Sequence, residues 1–156
     1  YGKVVKNQAK IHYVYNQNKT ESFKNYEKNM WGLTASYSFN PDGTDGYTAH
    51  SPTNDRDIIT PTAALSSFPY TPKESMDFLK FIYQKQNKKL IGVAGPYDAV
   101  DLKNDKVITK YLAIDQGTIT PMIENYRSGL LWDLFMKNED VQRGLKKLNF
   151  TTKASH

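Results

Sequence analysis

Asp115, Glu124 and Arg127 sit within YLAIDQGTITPMIENYRSGLLWDLF (111–135), a stretch rich in apolar and aromatic residues. A charge in such a setting is costly to bury, so it needs either a partner or a chemical task. Glu124 and Arg127 lie three residues apart, within reach of one another on a helix, and read as a structural ion pair. Asp115 differs, because it precedes an expected helix over 118–136, with Gln116 and Gly117 beside it. It is either a cap serving the helix start or a carboxylate held by a rigid helix end at the mouth of a cavity, open to acid–base work. The chain has no cysteine, which excludes disulfides, thiolate metal sites and cysteine nucleophiles.

The elements that must position these groups read as mainly helical, with long irregular connections. Over 118–136, Ile119, Met122, Ile123, Tyr126, Leu130 and Leu134 share one face, while Leu131, Trp132, Phe135 and Met136 cover the other sides of the second half. A helix apolar all round is enclosed by others. The helix predicted over 71–89 is of another kind. Thr71 caps it, Pro72 opens it and Glu74 completes a capping box, after which Met76, Leu79, Ile82 and Tyr83 form a single apolar stripe. The contrast predicts inner helices wrapped by outer ones. Shorter helices are predicted over 3–17, over 60–68 behind Thr60 and Pro61, and after Asn138, where acidic residues open the helix and lysines close it. NPDGTDG (40–46) is turn chemistry, and 91–110 reads as loop with room for a short extended piece.

The 156 residues suffice for one domain, and 38% hydrophobic with 24% charged content suits a globular chain. Aromatic content is high at 13%, which fits a large core or a stacking platform for sugar rings or bases. A net charge of +5 raises nucleic acid as a partner. The lysines are dispersed, however (Lys3, Lys6, Lys10, Lys19, Lys24, Lys28, Lys85, Lys88, Lys89, Lys146 and Lys147), and read as solvated faces, so no nucleic-acid partner is expected. No stretch approaches the ~20 apolar residues of a membrane span.

WGLTASYSFNPDGTDGYTAHSPTNDRDIITPTAALSSFPYTPKESM (31–76) and YLAIDQGTITPMIENYRSGLLWDLFMKNEDVQRGLKKLNF (111–150) closely resemble the C-terminal part of the bacterial glucoamylase-like family. That family includes hydrolases of β-1,2-glucans, both endo-acting and sophorose-releasing. The resemblance implies an (α/α)6 barrel of inner and outer helices. A full barrel of twelve helices needs roughly 190 residues at the usual helix and loop lengths. The expectation is therefore an all-α region, 1–156, forming the C-terminal portion of the barrel, whose N-terminal part is a missing partner outside this chain.

The resemblance further implies a glycoside hydrolase acting on β-linked glucans by an inverting mechanism, in which one carboxylic acid protonates the leaving oxygen and a second carboxylate activates water. Asp115 is then the expected catalytic carboxylate. Asp98, in a Tyr-Asp-Ala sequence like one in the family, is the second candidate, although Val100-Asp101 follows where many relatives carry Phe-Asn. His50, Asn54, Asp55 and Arg56 lie in a strongly matched loop and are expected to bind substrate or to satisfy turn backbone groups. Trp31 and Tyr97 are expected to stack on sugar rings or simply to pack. Relatives carry Asp-Gly-Pro after TAS where this chain has Tyr37, which implies a reshaped loop near the site. No metal or cofactor is implied, and location in the periplasm or at the cell surface follows by analogy. The alternative is a non-catalytic glycan-binding or structural helical domain.

Overall fold

The computed structural model describes residues 1–20, 29–84 and 87–151. Lys24, Lys28 and Lys85 of the dispersed basic set, and the helical reading across 85–86, fall outside them. The first element is the long helix α1 (Gly2–Thr20), followed by a hairpin of β1 (Ala35–Phe39) and β2 (Asp45–Ala49) and a short strand β3 (Ile58–Ile59). Two helices come next, α2 (Pro61–Ser66) and α3 (Pro72–Gln84), then a 3-10 turn over Asn87–Leu90. Two small hairpins, β4 (Ile91–Gly92) with β5 (Gly95–Pro96) and β6 (Ala99–Asp101) with β7 (Lys106–Ile108), lead into α4 (Ala113–Ser128), α5 (Leu130–Met136) and α6 (Glu139–Lys147).

The described residues are thus about half helical, and not all-α. They hold three small antiparallel sheets, ordered β1-β2, β3-β6-β7 and β4-β5. The β1–β2 hairpin escapes a search for hydrophobic alternation because its inward positions are hydroxyl residues. Ser36, Ser38 and Thr48 are buried, and the Ser38 and Thr48 hydroxyls meet at 3.0 Å. The turn between the strands falls within NPDGTDG, where Asp42 accepts from the Thr44 amide and hydroxyl, as turn chemistry demands.

The core gathers Met30 and Trp31 from the segment before β1, Ile59 of β3, Leu65 and Phe68 at and just after α2, Phe78, Phe81 and Ile82 of α3, Leu90 of the 3-10 turn and Val100 of β6. The buried stripe of α3 is Ser75, Phe78, Phe81 and Ile82, while Met76 and Tyr83 face out. Of the predicted stripe, Ile82 is buried and Leu79 packs against the core; Phe78 and Phe81, left out of it, take the place of Met76 and Tyr83 because they bury more apolar surface. Glu74 completes no capping box in the structure: Thr71 turns its hydroxyl to the Ser67 carbonyl and the Ser75 hydroxyl.

The helix predicted over 118–136 begins earlier, at Ala113, and is broken by Gly129 in the left-handed region (φ 72°). Asn125 makes the break tolerable, since its side-chain oxygen accepts from the amides of Leu131 and Trp132 and so caps α5. The apolar second half is not enclosed by this chain: Trp132 is 41% and Phe135 63% exposed. Asn138 caps α6 as expected, accepting from the amides of Asp140 and Val141.

Candidate functional site

Three elements bring the site together. Asp98 lies immediately before β6, where its amide donates to the Lys110 carbonyl and continues the β6–β7 ladder. Its side chain points into the protein and is 0% exposed. Oδ2 accepts from the Tyr37 amide of β1 at 2.7 Å, whereas Oδ1 has no donor among the described residues. Asp115 reaches the same place from the first turn of α4. Leu112, not Asp115, occupies the N-cap position, and no side chain caps this helix. The Asp115 carboxylate is therefore not spent on helix amides, and its Oδ2 is likewise buried without a donor.

The two carboxyl groups lie within hydrogen-bonding reach of one another. Two acceptors so placed repel unless a proton lies between them, and a single shared proton supplies the donor both lack. Burial is the main force pushing Asp98 up to about 6, and the neighbouring Asp115 charge adds to it, against the Tyr37 amide, which favours the ionised form. Burial also raises Asp115, while a hydrogen bond from Asp98 opposes the rise. Below about pH 6 the consistent assignment is a protonated Asp98 donating to an ionised Asp115.

Asp115 forms part of the wall of a cavity of about 330 Å³. Ala35 and Tyr47 of the hairpin, Thr62 and Ser66 of α2, and Ile114 of α4 share that wall. The seam between α2 and α4 is fastened by the Ser66 and Thr118 hydroxyls at 2.6 Å. Gln116 donates to the Pro96 carbonyl at 2.6 Å and so ties the start of α4 to the strand that precedes Asp98.

The other residues singled out from sequence are placed differently. Asp55 is half-buried in a hydrogen-bonded knot: Lys19 donates to Oδ1 at 2.6 Å, Tyr15 to Oδ2 at 2.7 Å, and the Asp57 amide to Oδ1. Burial disfavours its ionised form, but these donors outweigh it and hold the carboxyl below its ordinary range. Asn54 donates to the Ala49 carbonyl and closes a turn. Arg56 is exposed on a separate polar groove with Phe39 and Asn104. His50 is 7% exposed, neither ring nitrogen has a partner among the described residues, and burial lowers its pKa. Trp31 is 1% exposed, its indole donating to the Glu74 carbonyl and its ring edge-on to Tyr13, so no face of it is open to a sugar. Tyr97 packs against Tyr111 at 5.3 Å. Glu124 and Arg127 meet at 3.4 Å on the helix surface. Sequence reasoning brought up neither Tyr47 nor Thr62. Tyr47 lies within a quoted motif, but nothing in its spacing shows that a hairpin carries it to the mouth of α4. Among the described residues no group of three or more His, Asp or Glu side chains is placed to hold a metal ion.

Residues 1–139 match the Glycoamylase family model, described as "Putative glucoamylase", and the chain belongs to that family. It is 40% identical over 142 residues to an exo β-1,2-glucooligosaccharide sophorohydrolase (non-reducing end) from Parabacteroides distasonis, covering 90% of this chain and 19% of that protein. Among solved structures, an endo-β-1,2-glucanase from Chitinophaga pinensis, in complex with sophorotriose and glucose, superposes with a TM-score of 0.83 at 44% identity. That match covers 94% of this chain and 34% of the other. A β-1,2-glucanase from Parabacteroides distasonis superposes with a TM-score of 0.81 at 39% identity, over 91% of this chain and 20% of the other. The chain thus spans between about a fifth and a third of the length of these relatives.

Proposed function

We propose that this chain is the C-terminal portion of an (α/α)6-barrel glycoside hydrolase that cleaves β-1,2-linked glucan, with Asp115 as an active-site carboxylate and Asp98 as the group that positions it. The observation that carries the reading is the pair of buried, donorless carboxyl oxygens of Asp98 and Asp115, the second of which lines a cavity. Desolvated carboxyl groups that perturb one another are the kind of arrangement acid–base chemistry uses. The relatives whose names specify β-1,2-glucan or its oligosaccharides supply the substrate class.

Asp98 and Asp115 are too close to stand on either side of a glycosidic bond. Retaining enzymes hold their two carboxyls about 5–5.5 Å apart and inverting enzymes about 6.5–9.5 Å apart. The pair therefore acts as a single unit on one side of the bond, with Asp115 as the base that activates water in an inverting reaction. The acid that protonates the leaving oxygen belongs to the part of the barrel beyond this chain. The exposed apolar faces of α4 and α5, and of Val4, Val5, Ile11 and Val14 on α1, support that arrangement, because inner helices of a barrel are covered by their neighbours. The periplasmic or cell-surface location belongs to the proposal and is supported by the family resemblance alone; no helix among the described residues is long and apolar enough to cross a membrane.

The test is reducing-sugar release from linear β-1,2-glucan by the full-length protein that carries this chain. Asp115→Asn is expected to lower kcat by about 10²–10⁴-fold, the range of a lost general base. A variant with near-normal rates would remove Asp115 from the chemistry.

A further inference from the structure

We propose that Tyr47 is the platform on which a glucosyl ring rests beside Asp115, a role that depends on the reading of this cavity as a glucan site. Tyr47 and Tyr37 are direct cross-strand partners in the β1–β2 register. Their rings meet edge to face, with centroids 6.1 Å apart and planes at 88°. The Lys110 ammonium lies 4.5 Å from the centroid of the Tyr37 ring, and Lys110 is ion-paired with Asp45, two residues before Tyr47 on β2. Asp45, Lys110 and Tyr37 thus form a linked set, and Tyr47 packs against its Tyr37 ring. The Tyr37 amide is also the donor to Asp98, so one residue supports both the carboxyl pair and the ring.

So supported, Tyr47 nevertheless remains 58% exposed and lines the cavity that Asp115 lines. A large ring, braced and left open at the mouth of a cavity, is placed to receive a flat apolar surface. A β-linked glucopyranose offers one: its hydroxyls are equatorial, which leaves axial C–H groups on each face and a polar belt at the rim. The cavity wall has the matching character, with apolar Ala35 and Ile114 beside the hydroxyl residues Thr34 and Thr118. Thr62, also on the wall, keeps a buried hydroxyl that has no partner among the described residues. A volume of about 330 Å³ lies at the small end of the range for ligand sites, as expected for one sugar ring.

The experiment measures kcat and KM on linear β-1,2-glucan for the full-length protein carrying this chain, with Tyr47→Ala, Tyr47→Leu, Tyr47→Phe and Asp115→Asn. Tyr47→Ala is expected to raise KM about tenfold or more, with kcat within about threefold, because ground-state stacking is lost and the reacting groups are untouched. Tyr47→Leu keeps apolar bulk in the hairpin without the flat face, and is expected to raise KM similarly, which carries the test if the alanine variant does not fold. Tyr47→Phe is expected to restore the lost affinity. An unchanged KM in the leucine or alanine variant overturns the proposal, as does failure of phenylalanine to restore it. If Asp115→Asn is inactive while Tyr47→Leu binds like wild type, the platform alone is refuted. If Asp115→Asn keeps its activity, or the wild-type protein leaves the glucan intact, the underlying reading fails and the platform falls with it.

Discussion

Replacing Asp98 by Asn should stabilise the protein at neutral pH. Asp98 is wholly buried, and its titration moves from 3.8 to about 6 on folding. At 1.36 kcal/mol per pH unit, that displacement corresponds to a penalty of about 3 kcal/mol for keeping the ionised carboxylate in its folded site. Between about pH 4 and about pH 6 the folded state binds more protons at Asp98 than the unfolded chain, so stability falls as pH rises through that window and stays low above it. Asparagine has nearly the same shape. Its oxygen can still accept from the Tyr37 amide and its NH₂ group can donate to Asp115, the task the shared proton performs in the native protein. The variant should therefore gain about 1–3 kcal/mol at neutral pH, the upper figure being the whole penalty. It should gain little below about pH 4, where Asp98 is protonated in both states. The assay is urea denaturation of wild type and variant across that interval, and the quantity of interest is the difference between them, from which other carboxylates largely cancel. A variant less stable than wild type at neutral pH, or a difference that does not change with pH, would refute the shared-proton pair. Loss of activity in a more stable Asp98→Asn protein would mark the site as one where stability is given up for function.

Two predictions concern the scaffold, alongside those made above for Asp115 and Tyr47. Lys19→Met leaves Asp55 half-buried without its cation, the two side chains being 8% and 11% exposed, and should cost about 3–5 kcal/mol in urea denaturation, towards the lower figure because Tyr15 still donates. Because Asp55 titrates below its ordinary value when folded, the stability it supplies is present above about pH 4 and lost as pH falls further, so the variant's deficit should shrink in acid; a deficit below about 1 kcal/mol at neutral pH would show the knot to be dispensable. Gly32→Ala should be more damaging than an ordinary glycine substitution, because Gly32 has φ +132° and an added Cβ would lie 2.1 Å from the Thr60 carbonyl oxygen, a backbone atom that cannot rotate away. Loss of about 3 kcal/mol or more, or failure to fold, is expected, and a melting temperature near wild type would contradict the close packing of Gly32 against the start of α2.

The family membership and most helices were legible in the sequence, yet the way each fared differs in cause. Asn138 and the NPDGTDG turn came out as read, since caps and turns are local contests over a few backbone amides and φ angles. The α3 stripe was only half right, with Ile82 and Leu79 inward but Met76 and Tyr83 out, and the β1–β2 hairpin went unseen, because which face is buried depends on what lies opposite. In the hairpin the inward face is Ser36 and Ser38, and hydroxyls carry no hydrophobic period. The helix over 118–136 was read as continuous although Gly129 stood in it; only the Asn125 side chain, reaching past the break to cap α5, accounts for a stop there rather than a kink.

The candidate site divides along the same line. Sequence by itself marked Asp115 and, through resemblance, Asp98, because acids in apolar surroundings are conspicuous one at a time. Tertiary structure alone decided that they share a place, that Asp55 is instead tied to Lys19 and Tyr15, that Trp31 is core, and that Tyr47 stands at the cavity. Residue type and spacing are properties of the chain and can be read along it. Pairing, desolvation and exposure are properties of the space between segments far apart in sequence, and they come into being only when the hairpins and helices pack.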